Sequence, residues 1–355
     1  MTDHVGREID QAATRMPALE QLLATGIDGD LAARAWDLIE HAYHIIILAH
    51  EHPDPDALGS ALGLAHALTP LGKTCTVACA DPVPAPYLAF LPGGEQVTQQ
   101  VPPDTNALVI ALDAGELPRY GPLYYHSRAF FDSAVILNFD HHVTSAGCGA
   151  VNVIDPRCAA TAELLTLFLL NRKIDINPDA ALCLMAGIIT DTRSFEYDAT
   201  TPQTLMAGAY LVGRGAVPQR VIKPMYQMKP YAKAALWGIV INRSMSRSAD
   251  GRIVWASIRR EHMLEVGATP DMDEGLPSYL VDIDGVAVSA LFKEQSDGTT
   301  RVSLRTTEPV DAAAIASQFG GGGHVRAAGC SLQLSVDGAI ERVIPVIEAH
   351  LRESA

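Results

Sequence analysis

Long apolar runs are missing from this 355-residue chain. Runs such as Ile45–Ala49 and Leu164–Leu170 fall far short of the ~20 residues that cross a bilayer, so no membrane span is expected. Paired cysteines are missing as well. Cys75, Cys79, Cys148, Cys158, Cys183 and Cys330 stand singly among apolar or small residues, with no CxxC spacing. That argues against a structural zinc site and for reduced, mostly buried thiols. Positive charge is scarce: 26 Lys and Arg face 41 Asp and Glu, a net charge of −15. Proteins that grip long nucleic acid carry a basic footprint, so a long polymer is not the expected partner. A small anionic substrate in a local pocket is compatible with this charge if bound cations offset the acids. The opening MTDHVGREIDQAATRMPALE has no apolar signal-like stretch, and a cytoplasmic protein is the expectation. Internal repeats and low-complexity tracts are also absent.

What is present suits a folded protein of two domains or one large one. Residues 1–43 read as a helical extension, with Leu31, Ala32, Ala35, Leu38 and Ile39 at helical spacing behind a possible cap at Asp28–Asp30. From residue 44 the pattern alternates. HIIIL, KTCTVAC, ALVIALD and AVILNFD read as strands; Ala57–Leu68 and TAELLTLFLLN read as helices; DAALCLMAGIITD is a helix or a buried segment. This order predicts an α/β fold, a parallel sheet with helices on both faces, over residues 44–212. Residues 213–235, rich in Gly, Pro and positive charge, read as a linker. Residues 236–355 read as a smaller α+β domain. In it, WGIVINRSMSRSADGRIVWASI is expected to be two strands around a Ser-Ala-Asp-Gly turn, and GVAVSALFKEQSDGTTRVSLRT a second such pair. Helical VDAAAIASQF and the glycine run Gly320–Gly323 follow.

Four apolar segments of the first domain end on acid or histidine. HIIIL runs into His50, His52, Asp54 and Asp56; ALVIALD ends in Asp113; AVILNFD ends in Asp140-His141-His142; AGIITD ends in Asp191. A lone aspartate after a strand is more often a cap or turn residue than a ligand. Four such ends, two carrying clusters, resist that explanation. Ligands of open parallel sheets bind outside the strands' carboxyl ends, and carboxylates gathered there repel one another unless cations or protons neutralise them. Carboxylate mixed with imidazole and no thiolate suits Mn²⁺, Mg²⁺, Fe²⁺ or Co²⁺, and the group is large enough for two ions sharing an aspartate. Two metals close together are the usual device for hydrolysing phosphate esters. The glycine run, flanked by His324 and Arg326 and with Arg305 nearby, suits an anion pocket.

The order HxxxDxD, strand-end Asp, Asp-His-His and TDT resembles the motifs of the DHH phosphoesterases. FGGGGHVRAAG (Phe319–Gly329) preceded by VSLRT resembles the DHHA1 substrate-binding signature. The bacterial nanoRNase and pAp-phosphatase branch is the nearest likeness. That resemblance implies a hydrolase acting on short oligoribonucleotides such as pApA, or on 3′-phosphoadenosine 5′-phosphate (pAp), by a two-metal hydroxide mechanism. Cyclic di-AMP hydrolysis is the alternative, with pyrophosphatase or a non-catalytic nucleotide sensor behind it. The resemblance implies two divalent ions, Mn²⁺ first, with Mg²⁺ or Co²⁺ possible. His50, Asp54 and Asp113 would hold one, and Asp56, Asp113, His141 and Asp191 the other. It further implies that His142 faces the scissile phosphate and that Asp140 orients its neighbours, while His52 has no role. Substrate contacts would come from Arg305, Gly321, Gly322, Gly323, His324 and Arg326. A homodimer is implied as possible. Many relatives carry glycine where this chain has Arg193.

Overall fold

His44–Leu48 (β1), Thr74–Ala78 (β2), Leu108–Leu112 (β3), Ile136–Asp140 (β4) and Val151–Ile154 (β5) form one parallel sheet in the order β2-β1-β3-β4-β5. This is a computed structural model, and it describes residues 16–102 and 106–353. The middle strands are buried on both faces, which is why they read as unbroken aliphatic runs. Alternation still sorts their side chains. Ile45 and Ile47 join one apolar cluster with helices Pro55–Leu68 (α2), Thr161–Asn171 (α3) and Pro178–Asp191 (α4), which follow an earlier helix, Gly29–His41 (α1). Ile46 and Leu48 point the other way, into a cluster with Val109, Ala111, Tyr120, Leu123 and Phe131. The predicted parallel sheet with helices on both faces is therefore the observed one.

The strand order places the switch point of this sheet between β1 and β3, where connections leave in opposite directions and a crevice opens at the carboxyl ends. His50 and Asp113 lie just beyond those two strands. Helices α2 and α4 run in close backbone contact. A methyl group at Gly59 would collide with the Cys183 carbonyl oxygen, so only glycine lets α4 deliver its C-terminal Asp191 beside the start of α2.

At the N-terminus the expected helical extension is two pieces, residues 16–24 and α1, separated by a turn over 25–28. Asp28 caps α1, its carboxylate accepting from Leu31 N at 2.8 Å. Residues 1–15 lie outside the described residues. The segment DAALCLMAGIITD is helix throughout, so Asp191 comes from a helix end and not from a strand. After α4 comes a further helix, Pro202–Gly213 (α5).

The chain divides into two compact units between Met228 and Lys229. The second unit holds a six-stranded sheet in the order β10-β11-β9-β8-β7-β6: Ser246–Arg247 (β6), Ile253–Ile258 (β7), Val288–Glu294 (β8), Thr300–Thr306 (β9), Gly322–His324 (β10) and Ala327–Leu332 (β11). Only the β7–β8 pair is parallel. One face packs on Val336–Glu353 (α7) through Ala339, Val343 and Ile347. The other is covered by Tyr231–Arg243 (α6) through Leu236 and Val240. The expected strand WGIVIN is thus part of α6. A short apolar run cannot tell strand from helix by itself, and the Ala- and Lys-rich residues before it extend the helix. The second expected hairpin is present as β8 and β9, joined through the Asp297-Gly298 turn. Among the described residues no helix is long and apolar enough to cross a membrane.

Candidate metal centre

Beyond β1 the chain turns and presents His50, which is buried. Its Nδ1 lies 2.8 Å from the Glu51 carbonyl oxygen. A carbonyl only accepts, so Nδ1 carries a proton, and when the ring is neutral its Nε2 lone pair aims inward. That Nε2 sits 3.4 Å from Asp113 Oδ2 and 3.9 Å from Asp54 Oδ2. Asp54 has two tasks, one per oxygen. Oδ1 caps α2 by accepting from Asp56 N and Ala57 N at 3.0 and 2.9 Å, and Oδ2 faces the histidine.

Asp113 follows β3 with φ of +59°, a left-handed conformation that costs a non-glycine residue of order 1–3 kcal/mol and gathers at functional sites. Its N–H still donates to Phe139 O at 3.0 Å, which holds the bent residue against β4. The two carboxylate oxygens face different partners. Oδ2 faces His50, while Oδ1 lies 3.6 Å from His141 Nε2.

His141 repeats the arrangement of His50. Its Nδ1 is 3.3 Å from the Cys158 carbonyl oxygen, and its buried Nε2 has no hydrogen-bond partner among the described residues. Three carboxylates stand around that nitrogen: Asp191 Oδ2 at 3.3 Å, Asp113 Oδ1 at 3.6 Å and Asp56 Oδ2 at 4.0 Å. Asp56, fully buried in the first turn of α2, accepts from Thr161 N at 2.8 Å and Ala162 N at 3.0 Å. Gly187 on α4 backs this carboxylate. A methyl group there would collide with Asp56 Oδ1 and lie 2.6 Å from Ala162 Cβ. Gly187→Ala is therefore expected to destabilise the chain by ~1–3 kcal/mol, the usual cost of overpacking. Urea denaturation in chelator checks this, and a midpoint equal to wild type would contradict it.

The charges are out of balance in the bare cluster. Burial raises the Asp56 carboxyl well above the ordinary carboxylate range, and the charges of Asp113, Asp191 and Asp54 add to it. Asp54 is raised by burial and by Asp113. Asp191 is raised by burial too, only partly offset by His141. For His141 burial works downward, yet Asp191 and Asp113 outweigh it and push the ring up to about 9. His50 is likewise raised, Asp113 and the Glu51 carbonyl overcoming burial. Acids that resist ionising beside imidazoles that resist neutrality make a site wanting more positive charge than its side chains supply. The donor atoms group as His50–Asp54–Asp113, as Asp56–His141–Asp191 and as Asp113–His141–His142, each set within 4.8 Å. Two imidazole nitrogens and carboxylate oxygens, each histidine anchored by a carbonyl through its other nitrogen, form a donor set that could hold a divalent metal.

Beside this group stands His142, whose half-exposed ring pairs through Nδ1 with Asp140 Oδ1 at 2.7 Å. Asp140, buried at the end of β4, also accepts the His142 backbone N–H at 3.2 Å. The His142 bond lowers its carboxyl despite burial. His52 turns outward to Asp81, its backbone N–H donating to Oδ2 at 2.6 Å and its ring Nδ1 lying 3.3 Å from the same oxygen. Arg193, Ser194 and Phe195 take φ of +47°, +63° and +69° in succession, a left-handed backbone that glycine favours. The Arg193 side chain pairs with Glu196 at 3.3 Å.

In the second unit the glycine run is divided: Gly320 and Gly321 close the turn after a short helix, and Gly322 and Gly323 enter the edge strand β10. Gly322, Gly323 and His324 are exposed on it, paired with Gly329, Ala328 and Ala327 of β11. The Gly321 N–H is already used by Ala316 O at 3.0 Å. Arg326 donates to Val310 O at 2.8 Å and pairs with Glu308 at 3.3 Å. Arg305 lies on β9 opposite Ala327. A methyl at Gly321 would collide with the Gly329 carbonyl oxygen, whereas Gly322 has open space around it.

Read from sequence, DPRCAATAE (Asp155–Glu163) is similar to a loop near the site in DHH phosphoesterases, but no chemistry is assigned to it. In the fold it supplies the Cys158 carbonyl to His141, backbone N–H groups of Thr161 and Ala162 to Asp56, and the Thr161 hydroxyl to Asp113. Most of these donors and acceptors are backbone, which no side-chain motif reveals.

Known proteins resemble this chain along most of its length. Residues 44–188 match the DHH family, N-terminal domain, and residues 252–353 match the DHHA1 domain. The bifunctional oligoribonuclease and PAP phosphatase NrnA of Thermus thermophilus is 34% identical, spanning 86% of this chain and 90% of that protein. Its counterpart in Bacillus subtilis is 27% identical, spanning 87% and 95%. Among solved structures, an exopolyphosphatase-related protein from Bacteroides fragilis shares the fold, with a TM-score of 0.79 at 23% identity over 92% of this chain and 97% of that one. On its two matched domains and its similarity along most of its length, the chain belongs to the DHH/DHHA1 phosphoesterases, hydrolases of phosphoester bonds.

Proposed function

We propose that this chain hydrolyses very short 5′-phosphorylated oligoribonucleotides, such as pApA, and pAp, at a centre of two divalent cations, Mn²⁺ foremost. The observation that carries the reading is the Asp113 carboxylate, one oxygen facing His50 and the other facing His141. His50, Asp54 and Asp113 hold one cation; Asp56, Asp113, His141 and Asp191 hold the second. Bound there, two such ions supply charge for the phosphate and lower the pKa of water to the neutral range. The protein's own groups do the rest. His50 and His141 keep their Nδ1 protons on carbonyls, so their Nε2 lone pairs stay aimed at the centre. Asp140 occupies Nδ1 of His142, which leaves Nε2 to meet the scissile phosphate or hand a proton to the leaving oxygen. In the second unit Arg305, Gly321, Gly322, Gly323, His324 and Arg326 are the groups for a nucleotide's phosphate. The named activities of the Thermus thermophilus and Bacillus subtilis relatives and the net charge of −15 both favour a short substrate over a long strand.

A substrate panel tests this. Purified protein with Mn²⁺ is offered pApA, longer oligoribonucleotides, pAp, cyclic di-AMP and pyrophosphate. Release of AMP from pApA and of phosphate from pAp is expected, with rates falling as the oligonucleotide lengthens. No turnover of any substrate by metal-loaded protein contradicts the reading, and turnover of cyclic di-AMP alone replaces it.

Gly322 offers a sharper test of the second unit. Because its surroundings are open, Gly322→Ala should keep wild-type melting yet raise KM for pApA about 3–10-fold with kcat unchanged, the loss of about 1 kcal/mol of contact. Gly321→Ala should instead lower the melting temperature, because its methyl meets β11. An unchanged KM in Gly322→Ala removes this glycine from the substrate site.

A further inference from the structure

The buried segment Cys158–Glu163 touches His141, Asp56 and Asp113 yet offers no ligand of its own. Thr161 stands at its centre, fully buried in the first turn of α3. Its hydroxyl donates to Asp113 Oδ1 at 2.8 Å and its N–H to Asp56 Oδ2 at 2.8 Å. The segment is itself tied down by Glu163, a fully buried carboxylate. Glu163 accepts from Ala159 N at 2.9 Å and, from the first turn of α5, from Thr204 Oγ1 at 2.9 Å and Gln203 Nε2 at 3.1 Å.

On the two-cation reading above, we infer that Thr161 is a positioning residue that sets the rotation of the Asp113 carboxylate, so that each of its oxygens serves one cation. The Asp113 carboxylate can turn about its last bond, and turned out of this plane it would aim neither oxygen squarely at its own histidine. The Thr161 hydroxyl fixes Oδ1 on the His141 side, which leaves Oδ2 on the His50 side. The backbone of the same residue holds Asp56 in register with it. One residue thus aligns a carboxylate from the end of β3 with one from the start of α2. Outer partners of metal ligands commonly carry this much influence, changing affinity or activity by ~10–100-fold when removed.

The test compares Thr161→Val, which removes the hydroxyl and keeps the backbone donor, with Thr161→Ser, which keeps both. Mn²⁺ is titrated into each full-length, chelator-stripped protein by calorimetry, with melting in chelator as a fold control. Thr161→Val should bind at least one of two ions ~10–100-fold more weakly. At saturating Mn²⁺, its kcat on pApA should fall while KM stays at the wild-type value. Thr161→Ser should restore affinity and kcat to near wild type. The inference is overturned if Thr161→Val binds both ions as wild type does. It is also overturned if Thr161→Ser loses as much as Thr161→Val, which would make packing the cause. Wild-type protein that takes up no Mn²⁺ would instead overturn the two-cation reading itself.

Discussion

Asp113→Asn is expected to lose hydrolysis and divalent-ion uptake together, and to become more stable without metal at alkaline pH. The substitution keeps the shape of the side chain and an oxygen for the Thr161 hydroxyl, so the fold has no reason to fail. What goes is the negative charge and one of two oxygen donors, where each oxygen faces a different histidine. Uptake should fall by at least ~100-fold, the upper end of what loss of an outer partner alone produces. The gain in stability follows from the same charge. Asp113 is among the groups that raise Asp54, Asp56 and Asp191 but also among those that raise His50 and His141, so the relief of repulsion in the metal-free cluster is expected at alkaline pH, where the rings are neutral. Calorimetric titration with Mn²⁺ and melting in chelator read the two effects separately. A variant that keeps full activity would refute the shared-aspartate arrangement; one that loses activity and also melts lower at alkaline pH would point to misfolding.

Stability under added metal should move just as visibly. At free Mn²⁺ one hundred times its dissociation constant, linkage gives about 2.7 kcal/mol. In a folding unit of this size that corresponds to ~5–10 °C in melting temperature, and chelator should reverse it. The direction with pH follows from the raised groups. A group whose folded-state pKa lies above its unfolded value stabilises the fold fully below the unfolded value, and that contribution is lost as pH rises through the folded one. For His141 the window runs from 6.5 to about 9. Asp54, Asp56 and Asp191, raised from 3.8, act in the same direction at lower pH. Metal-free protein therefore loses this contribution across the neutral range, just as the protons competing with metal depart. The melting shift caused by Mn²⁺ should be larger at pH 8.5 than at pH 6. A shift that shrinks with rising pH would contradict the assignment.

Much of this centre was legible before any fold was known, because strands buried on both faces announce themselves as aliphatic runs and the residue after each run is chemically conspicuous. His50, Asp113 and the Asp140-His141-His142 triplet are read that way. Asp54 shows the limit of choosing between explanations: it is a helix cap through one oxygen and faces His50 through the other. Helix α4 was ambiguous for a physical reason. It is buried on nearly all sides, so it lacks the polar stripe that marks a surface helix. WGIVIN misled for the opposite reason, six residues of it being too few to show a helical period. The glycine run suggested bare backbone for an anion, yet Gly321 answers first to the close approach of β11. Donors such as Thr161 N and Ala162 N could not be foreseen, since they belong to the backbone and reach Asp56 across more than a hundred residues of sequence.

The most direct test of the central claim is anomalous diffraction from crystals of the full chain grown with Mn²⁺. Two peaks are predicted, one contacting His50 and Asp54, the other contacting Asp56, His141 and Asp191, with Asp113 touching both. A single peak, or two peaks that do not share Asp113, would contradict it.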